Sequence, residues 1–175
     1  MHLGSTLGRV TAGAVAALSL ICTFGAAAPA FGATNPMCLD VGNSRENSDA
    51  VAIYRCAAQG HANQNFVIQR GQIKVENTIG TSREMCLDVG NSRENGDAVA
   101  IYRCAGQGHA NQNFVIRRGQ IKVEDTIGTS REMCLDVGNG RENGDAVAIY
   151  RCAGQGHANQ NFVIQRGQIK VEDTL

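Results

Sequence analysis

Apolar and polar positions alternate along this chain in short runs, and the same runs come round three times. The unit starts at Met37 and restarts at Met85 and Met133 without a gap, a period of 48 residues. The units are residues 37–84, 85–132 and 133–175, the last ending at Leu175. The first two differ only at Ser48/Gly96, Ala58/Gly106, Gln69/Arg117 and Asn77/Asp125. Self-similarity at a fixed period marks a repeat architecture. Within the first unit, turn chemistry separates four apolar stretches: Met37 to Val41, Ala50 to Cys56, Asn65 to Ile68 and Gln72 to Glu76. Val51 and Ile53 share one side of the second stretch, with Ala52 and Tyr54 on the other. Phe66 pairs in phase with Ile68, and Ile73 with Val75. A period of two built from branched and aromatic residues predicts half-buried strands. Arg70-Gly71 predicts a tight hairpin, and Asn95-Gly96 and Asn143-Gly144 predict turns before the second strand of their units. No stretch has a 3.6-residue period with caps, so helix should be scarce.

Four strands in each of three units predict twelve short strands. One unit is too small to bury a core. Three units closed around a pseudo-threefold axis can do so, six strands forming a barrel and six capping it. Leu39, Val51, Ile53, Phe66, Ile68, Ile73, Val75 and their equivalents are the expected core. An open solenoid needs capping repeats at its ends. Here the chain begins and ends almost flush with the repeat, which favours a closed ring.

The first 33 residues differ in character. Residues 10–31 carry no charge, small residues follow around Ala28-Pro29-Ala30, and Arg9 lies ahead. The segment 1–33 reads as a secretory signal peptide, and residues 34–175 as one domain. Export suits the cysteines. Besides Cys22 there are Cys38 and Cys56, Cys86 and Cys104, and Cys134 and Cys152. Six cysteines allow fifteen pairings, and the threefold repetition favours the locally repeated one. Thiolate metal sites need closer spacing, such as C-x-x-C. The 16 basic and 16 acidic side chains are interspersed. Nothing in that pattern suggests nucleic acid as a partner, or insertion of the domain into a membrane.

Cys38-Leu39-Asp40-Val41, Ile53-Tyr54-Arg55-Cys56 and Asn63-Gln64-Asn65-Phe66 together resemble the repeat of ricin-type β-trefoil lectins. That family's pattern is C-L-D, an aromatic two residues before the second cysteine, then N-Q-x-W. The likeness covers residues 37–175 three times over. Three departures stand out: Phe66 replaces the tryptophan, Ala52 stands where some sugar-binding members have a polar residue, and Ala57 where some have histidine. The resemblance implies an all-β trefoil with a shallow sugar pocket in each repeat. The residue chemistry agrees. Tyr54 can stack under the apolar face of a pyranose, and ionised Asp40 can accept hydrogen bonds from two vicinal hydroxyls. Asn63 can donate to one of them, while Gln64 fixes the Asp40 rotamer from beneath. The equivalents are Asp88, Tyr102, Asn111 and Gln112, then Asp136, Tyr150, Asn159 and Gln160. His61, His109 and His157 are rim candidates against the plainer reading of solvated loop residues.

No cofactor is expected. Calcium is the one ion to weigh, and neutral Asn63 in place of an acid argues against it. A glycosidase needs paired carboxylates across a cleft, and a shallow trefoil offers none, so an enzyme is not expected. A trefoil protease inhibitor acts through unequal loops, whereas these are nearly identical. The expectation is a secreted, trivalent lectin for galactose or N-acetylgalactosamine on glycoproteins, glycolipids or polysaccharides. Binding of xylan, arabinan or mannose is the alternative within that class, and a protein-binding surface protein the alternative outside it.

Overall fold

The computed structural model describes Met1 and residues 35–175. The leader expected over residues 1–33 lies, Met1 apart, outside the described residues. The first repeat forms β1 (Met37–Asp40), β2 (Asp49–Ala50), β3 (Ala52–Arg55), β4 (Phe66–Gln69) and β5 (Gln72–Val75). The second forms β6 (Met85–Asp88), β7 (Asp97–Ala98), β8 (Ala100–Arg103), β9 (Phe114–Arg117) and β10 (Gln120–Val123). The third forms β11 (Met133–Asp136), β12 (Asp145–Ala146), β13 (Ala148–Arg151), β14 (Phe162–Gln165) and β15 (Gln168–Val171). Helix among the described residues is limited to single 3₁₀ turns such as Glu76–Thr78.

The twelve expected strands thus appear as fifteen segments, because the stretch Ala50 to Cys56 divides at Val51. Beyond Val51, β3 pairs with β1 of its own repeat, Leu39 opposite Ile53. Before it, β2 pairs with β8 of the next repeat, Asp49 opposite Ile101. The strand changes partners at a residue that is 0% exposed. A buried amide must find a partner inside the protein. Val51 N–H donates to Val99 C=O at 2.9 Å, Val99 to Val147 at 2.9 Å, and Val147 back to Val51 at 3.0 Å. The three repeats therefore close through a triangle of backbone hydrogen bonds.

The three antiparallel sheets carry the same cycle. Their strand orders are β2-β8-β6-β5-β4, β7-β13-β11-β10-β9 and β12-β3-β1-β15-β14. Each takes two strands from one repeat and three from the repeat before it. In the last sheet the third repeat returns to the first, with β15 beside β1. Met37 N–H donates to Thr174 Oγ1 at 2.9 Å, just as Met85 donates to Thr78 and Met133 to Thr126. The closed ring is the arrangement that the flush repeats favoured.

Hairpin β4–β5 turns through Arg70 and Gly71, with φ of 52° and 83°. Positive φ at both central residues gives the type I′ geometry whose twist matches the strands. Leu39, Val51, Ile53, Ile73, Val75 and Phe66 are buried as expected, together with Met37 and Val41. Ile68 is a correction: it is 39% exposed, and Ile116 and Ile164 are similar. The period of two assigned its face correctly but not its depth. Ile68 lies on edge strand β4, one rung before the turn, while its partner Ile73 lies on the inner strand β5. The predicted disulfides Cys38–Cys56, Cys86–Cys104 and Cys134–Cys152 are all present, each joining the first strand of a repeat to the end of its third.

Lys74 Nζ meets Glu84 Oε2 at 2.9 Å, and the other oxygen of Glu84 accepts from Gly80 N–H at 2.8 Å. The Gly80 amide, then Lys74, holds the Glu84 carboxyl below its ordinary pKa. At Glu132 the order is Lys122, then the Gly128 amide. Pro36 stands at the corresponding place before Met37.

Ile73→Ala is expected to cost about 3 kcal/mol and Ile68→Ala less than about 1 kcal/mol in urea unfolding. Equal costs would contradict the edge placement of Ile68. The depressed carboxyls stabilise the fold fully above the ordinary Glu pKa of about 4.3. That contribution is lost as the pH falls through the lower folded-state value. The unfolding midpoint should therefore drop on acidification through this range, and drop less in Glu84→Gln/Glu132→Gln.

Candidate functional site

At the end of β1 the chain turns through Gly42, whose φ is 65°. Its N–H donates to Asp40 Oδ1 at 2.7 Å, the local closure expected of a turn aspartate. Asp40 Oδ2 accepts from Gln64 Nε2 at 2.9 Å. The same Gln64 nitrogen reaches Arg55 C=O at 3.1 Å, and Gln64 Oε1 accepts from Ala57 N–H at 2.7 Å. Gln64 is 2% exposed and touches three segments, so it positions Asp40 from beneath, as its sequence phase with Phe66 suggested. Little of its surface is left to face the depression. A carboxylate has about four acceptor sites, so two internal bonds leave Asp40 able to accept two more.

Tyr54, opposite Cys38 on β3, is 40% exposed, while Ile53 beside it is 0% exposed. The alternation that placed Tyr54 on the outer face holds. Asn63 is anchored through its C=O, which accepts from Val41 N–H at 3.0 Å. Its amide is mostly engaged: Nδ2 donates to Asn43 Oδ1 at 2.9 Å, and Oδ1 accepts from Arg45 Nη2 at 3.0 Å. One N–H remains for a ligand. His61 is exposed at the margin.

These side chains line one depression of about 400 Å³, with Asp40, Tyr54, His61, Asn63 and Gln64 among its walls. Asp88, Tyr102, His109, Asn111 and Gln112 line a second, of about 390 Å³. In the third repeat Gln160 holds Asp136 at 2.8 Å, Asn159 accepts from Arg141, and Gly138 donates to Asp136. The sequence-predicted residues therefore converge in the first two repeats, and their contacts recur in the third.

Two contributors were missed. Arg45 holds Asn63, and burial pulls its guanidinium below the ordinary arginine pKa against the pull of Asp40 and Asp49. Its place in the polar run Asn43-Ser44-Arg45-Glu46-Asn47 carried no signal of that role. The other contributor comes from the preceding repeat. Asn143 lines the first depression and accepts from Arg55 N–H at 2.8 Å. Asn47 does the same for Arg103, and Asn95 for Arg151. The Tyr54 hydroxyl faces Gly144, and Tyr150 faces Gly96. At Tyr102 the neighbour is Ser48, hydroxyl to hydroxyl. Only the closed ring brings these loops across.

A closed ring of three β-repeats, each sheet shared between two of them, defines a β-trefoil. The family model of the ricin-type beta-trefoil lectin domain matches residues 30–126 and again 77–174, and the chain belongs to that family. It is a carbohydrate-binding family. A solved structure described as a designed 3-fold symmetric protein, ThreeFoil, is similar at 24% identity. The similarity covers 77% of this chain and 88% of that chain, with a TM-score of 0.49. No curated protein sequence matches the chain.

Gln64→Ala strips partners from Asp40, Ala57 N–H and Arg55 C=O together. It should lower stability in urea by about 2 kcal/mol. A change near zero would mean that water replaces Gln64 and that Asp40 is not held from below.

Proposed function

We infer that the protein is a secreted trivalent lectin that binds galactose or N-acetylgalactosamine-type sugars. The carrying observation is the meeting of Asp40, Tyr54 and Asn63 on one depression, with acceptor capacity left on Asp40 and one N–H left on Asn63. A pyranose lays its C–H face on the tyrosine and its vicinal hydroxyls on the carboxylate, where charge-assisted bonds are the strong ones. Little else is needed for a small-sugar pocket of a few placed polar groups. No metal takes part in this reading, since neutral Asn63 stands where an acid would help to hold calcium. Residues 1–33 serve as the export leader, and three local disulfides suit an oxidising destination. Three pockets on one rigid ring let a single molecule cross-link glycans, so avidity exceeds single-site affinity where spacing permits.

A glycan array probed with residues 34–175 should light up on terminal galactose or N-acetylgalactosamine. Titration calorimetry should then give about three sites per chain, one for each repeat, and binding should persist in EDTA. Asp40→Ala/Asp88→Ala/Asp136→Ala should weaken binding by at least about tenfold while keeping the fold. Preference for xylan, arabinan or mannose would move the specificity. Silence across the array would sink the lectin reading in favour of a protein partner.

A further inference from the structure

A second kind of depression lies between repeats. At the first junction, Arg45, Glu46, Asn47, Arg83, Met85 and Arg103 enclose about 370 Å³. At the second, Arg93, Glu94, Asn95, Arg131, Met133 and Arg151 enclose about 160 Å³. Arg103 also lines the Tyr102 depression, so the two depressions share a wall.

The three junctions share a backbone plan but not a charge. At the first, three arginines face the single carboxylate of Glu46, which Arg83 meets at 3.2 Å where both side chains are more than half exposed. Arg45 directs its N–H groups to neutral acceptors: Gly42, Ser44 and Ala62 C=O and the Oδ1 atoms of Asn63 and Asn77. Among the described residues no carboxylate forms an ion pair with it, Asp40 and Asp49 act on its charge only from beyond contact, and it has no donor to offer. Arg103 is exposed and has no ion-pair partner among the described residues. At the second junction Asp125 replaces Asn77 and clamps Arg93 with two bonds, at 3.1 and 3.0 Å. At the third, Asp173 clamps Arg141 likewise, and the sequence has Asn35 in place of Arg83. Positive charge thus falls stepwise from the first junction to the third.

We propose that the depression formed by Arg83 and Arg103, in the field of Arg45, holds an anionic substituent of the saccharide seated at Tyr102. The substituent is a sulfate ester or a carboxylate, for which exposed guanidinium forks are the matching donors. The inference rests on the lectin reading. It makes the three pockets unequal: the Tyr102 site takes acidic sugars, and the Tyr54 site, beside the third junction, takes neutral ones.

The test titrates residues 34–175 with galactose, galactose 3-sulfate and galacturonic acid at low and high salt. Amide NMR shifts of Asn47, Arg83 and Arg103 report the site, and sodium sulfate alone serves as a further probe. An acidic sugar should bind about tenfold tighter than galactose at one site per chain at low salt. Salt should erode the preference. Asn77→Asp, the residue that the other repeats already carry, and Arg83→Asn should each cut it severalfold while leaving galactose binding intact. Equal binding of galactose and the acidic sugars, or a preference that survives both variants, overturns this inference and leaves the lectin reading standing. Binding of sulfate alone with equal affinity in the two variants also overturns it. Failure of every sugar to bind overturns both readings.

Discussion

The closed triangle of backbone hydrogen bonds through Val51, Val99 and Val147 is the constraint on which the rest of this molecule depends. It lies where nothing but protein can satisfy an amide, and a buried unpaired amide costs on the order of 1–3 kcal/mol. The triangle forces each second strand to leave its own repeat at a valine and pair with the next. From that one partner change come the shared sheets and the closure of β15 on β1. A matching triangle joins the hairpins, with Phe66, Phe114 and Phe162 donating to Gly167, Gly71 and Gly119. No repeat satisfies its own backbone, so the three form one cooperative unit.

The sites inherit this interdependence. Asp40 is fixed by Gln64 within its own repeat, yet the wall beyond Tyr54 is Asn143 and Gly144 of another. A buried, satisfied polar pair in a low-dielectric setting is stiff, and stiffness orders the carboxylate before any ligand arrives. The depression is therefore placed by the ring, while Gln64 and the Gly42 amide together aim its carboxylate. Its exposed tyrosine contributes area without being needed to bury the core.

Near-identical repeats do not make identical surroundings. The backbone plan repeats, but Asn77 against Asp125 and Asp173 alters whether the arginine that holds each site asparagine is paired with a carboxylate. Ser48 against Gly96 and Gly144 alters which group meets the tyrosine hydroxyl. Asn35-Pro36 stands at the third junction where Arg83-Glu84 and Arg131-Glu132 stand at the others. Small differences in side chain become differences between sites because the frame holds everything else constant.

Much of this was legible in the order of residues. Side-chain alternation in a strand is a local property, so Ile53 inward, Tyr54 outward and Gln64 inward could be read without coordinates, and so could the Arg70-Gly71 turn. The local disulfides followed from repetition, and the site trio from its likeness to a lectin repeat. Depth was not legible: Ile68 shares a face with buried Phe66 but lies on an edge strand, and edges exist only once strands have neighbours. Nor was the division of the second strand at Val51, because its cause is a hydrogen bond to a residue one repeat away. The borrowed asparagines and the junction arginines were hidden for the same reason. Sequence by itself determined which side chains each strand presents to which face. Only the tertiary structure decided which repeat those faces meet, since ring closure joins groups whose separation along the chain carries no record of their contact.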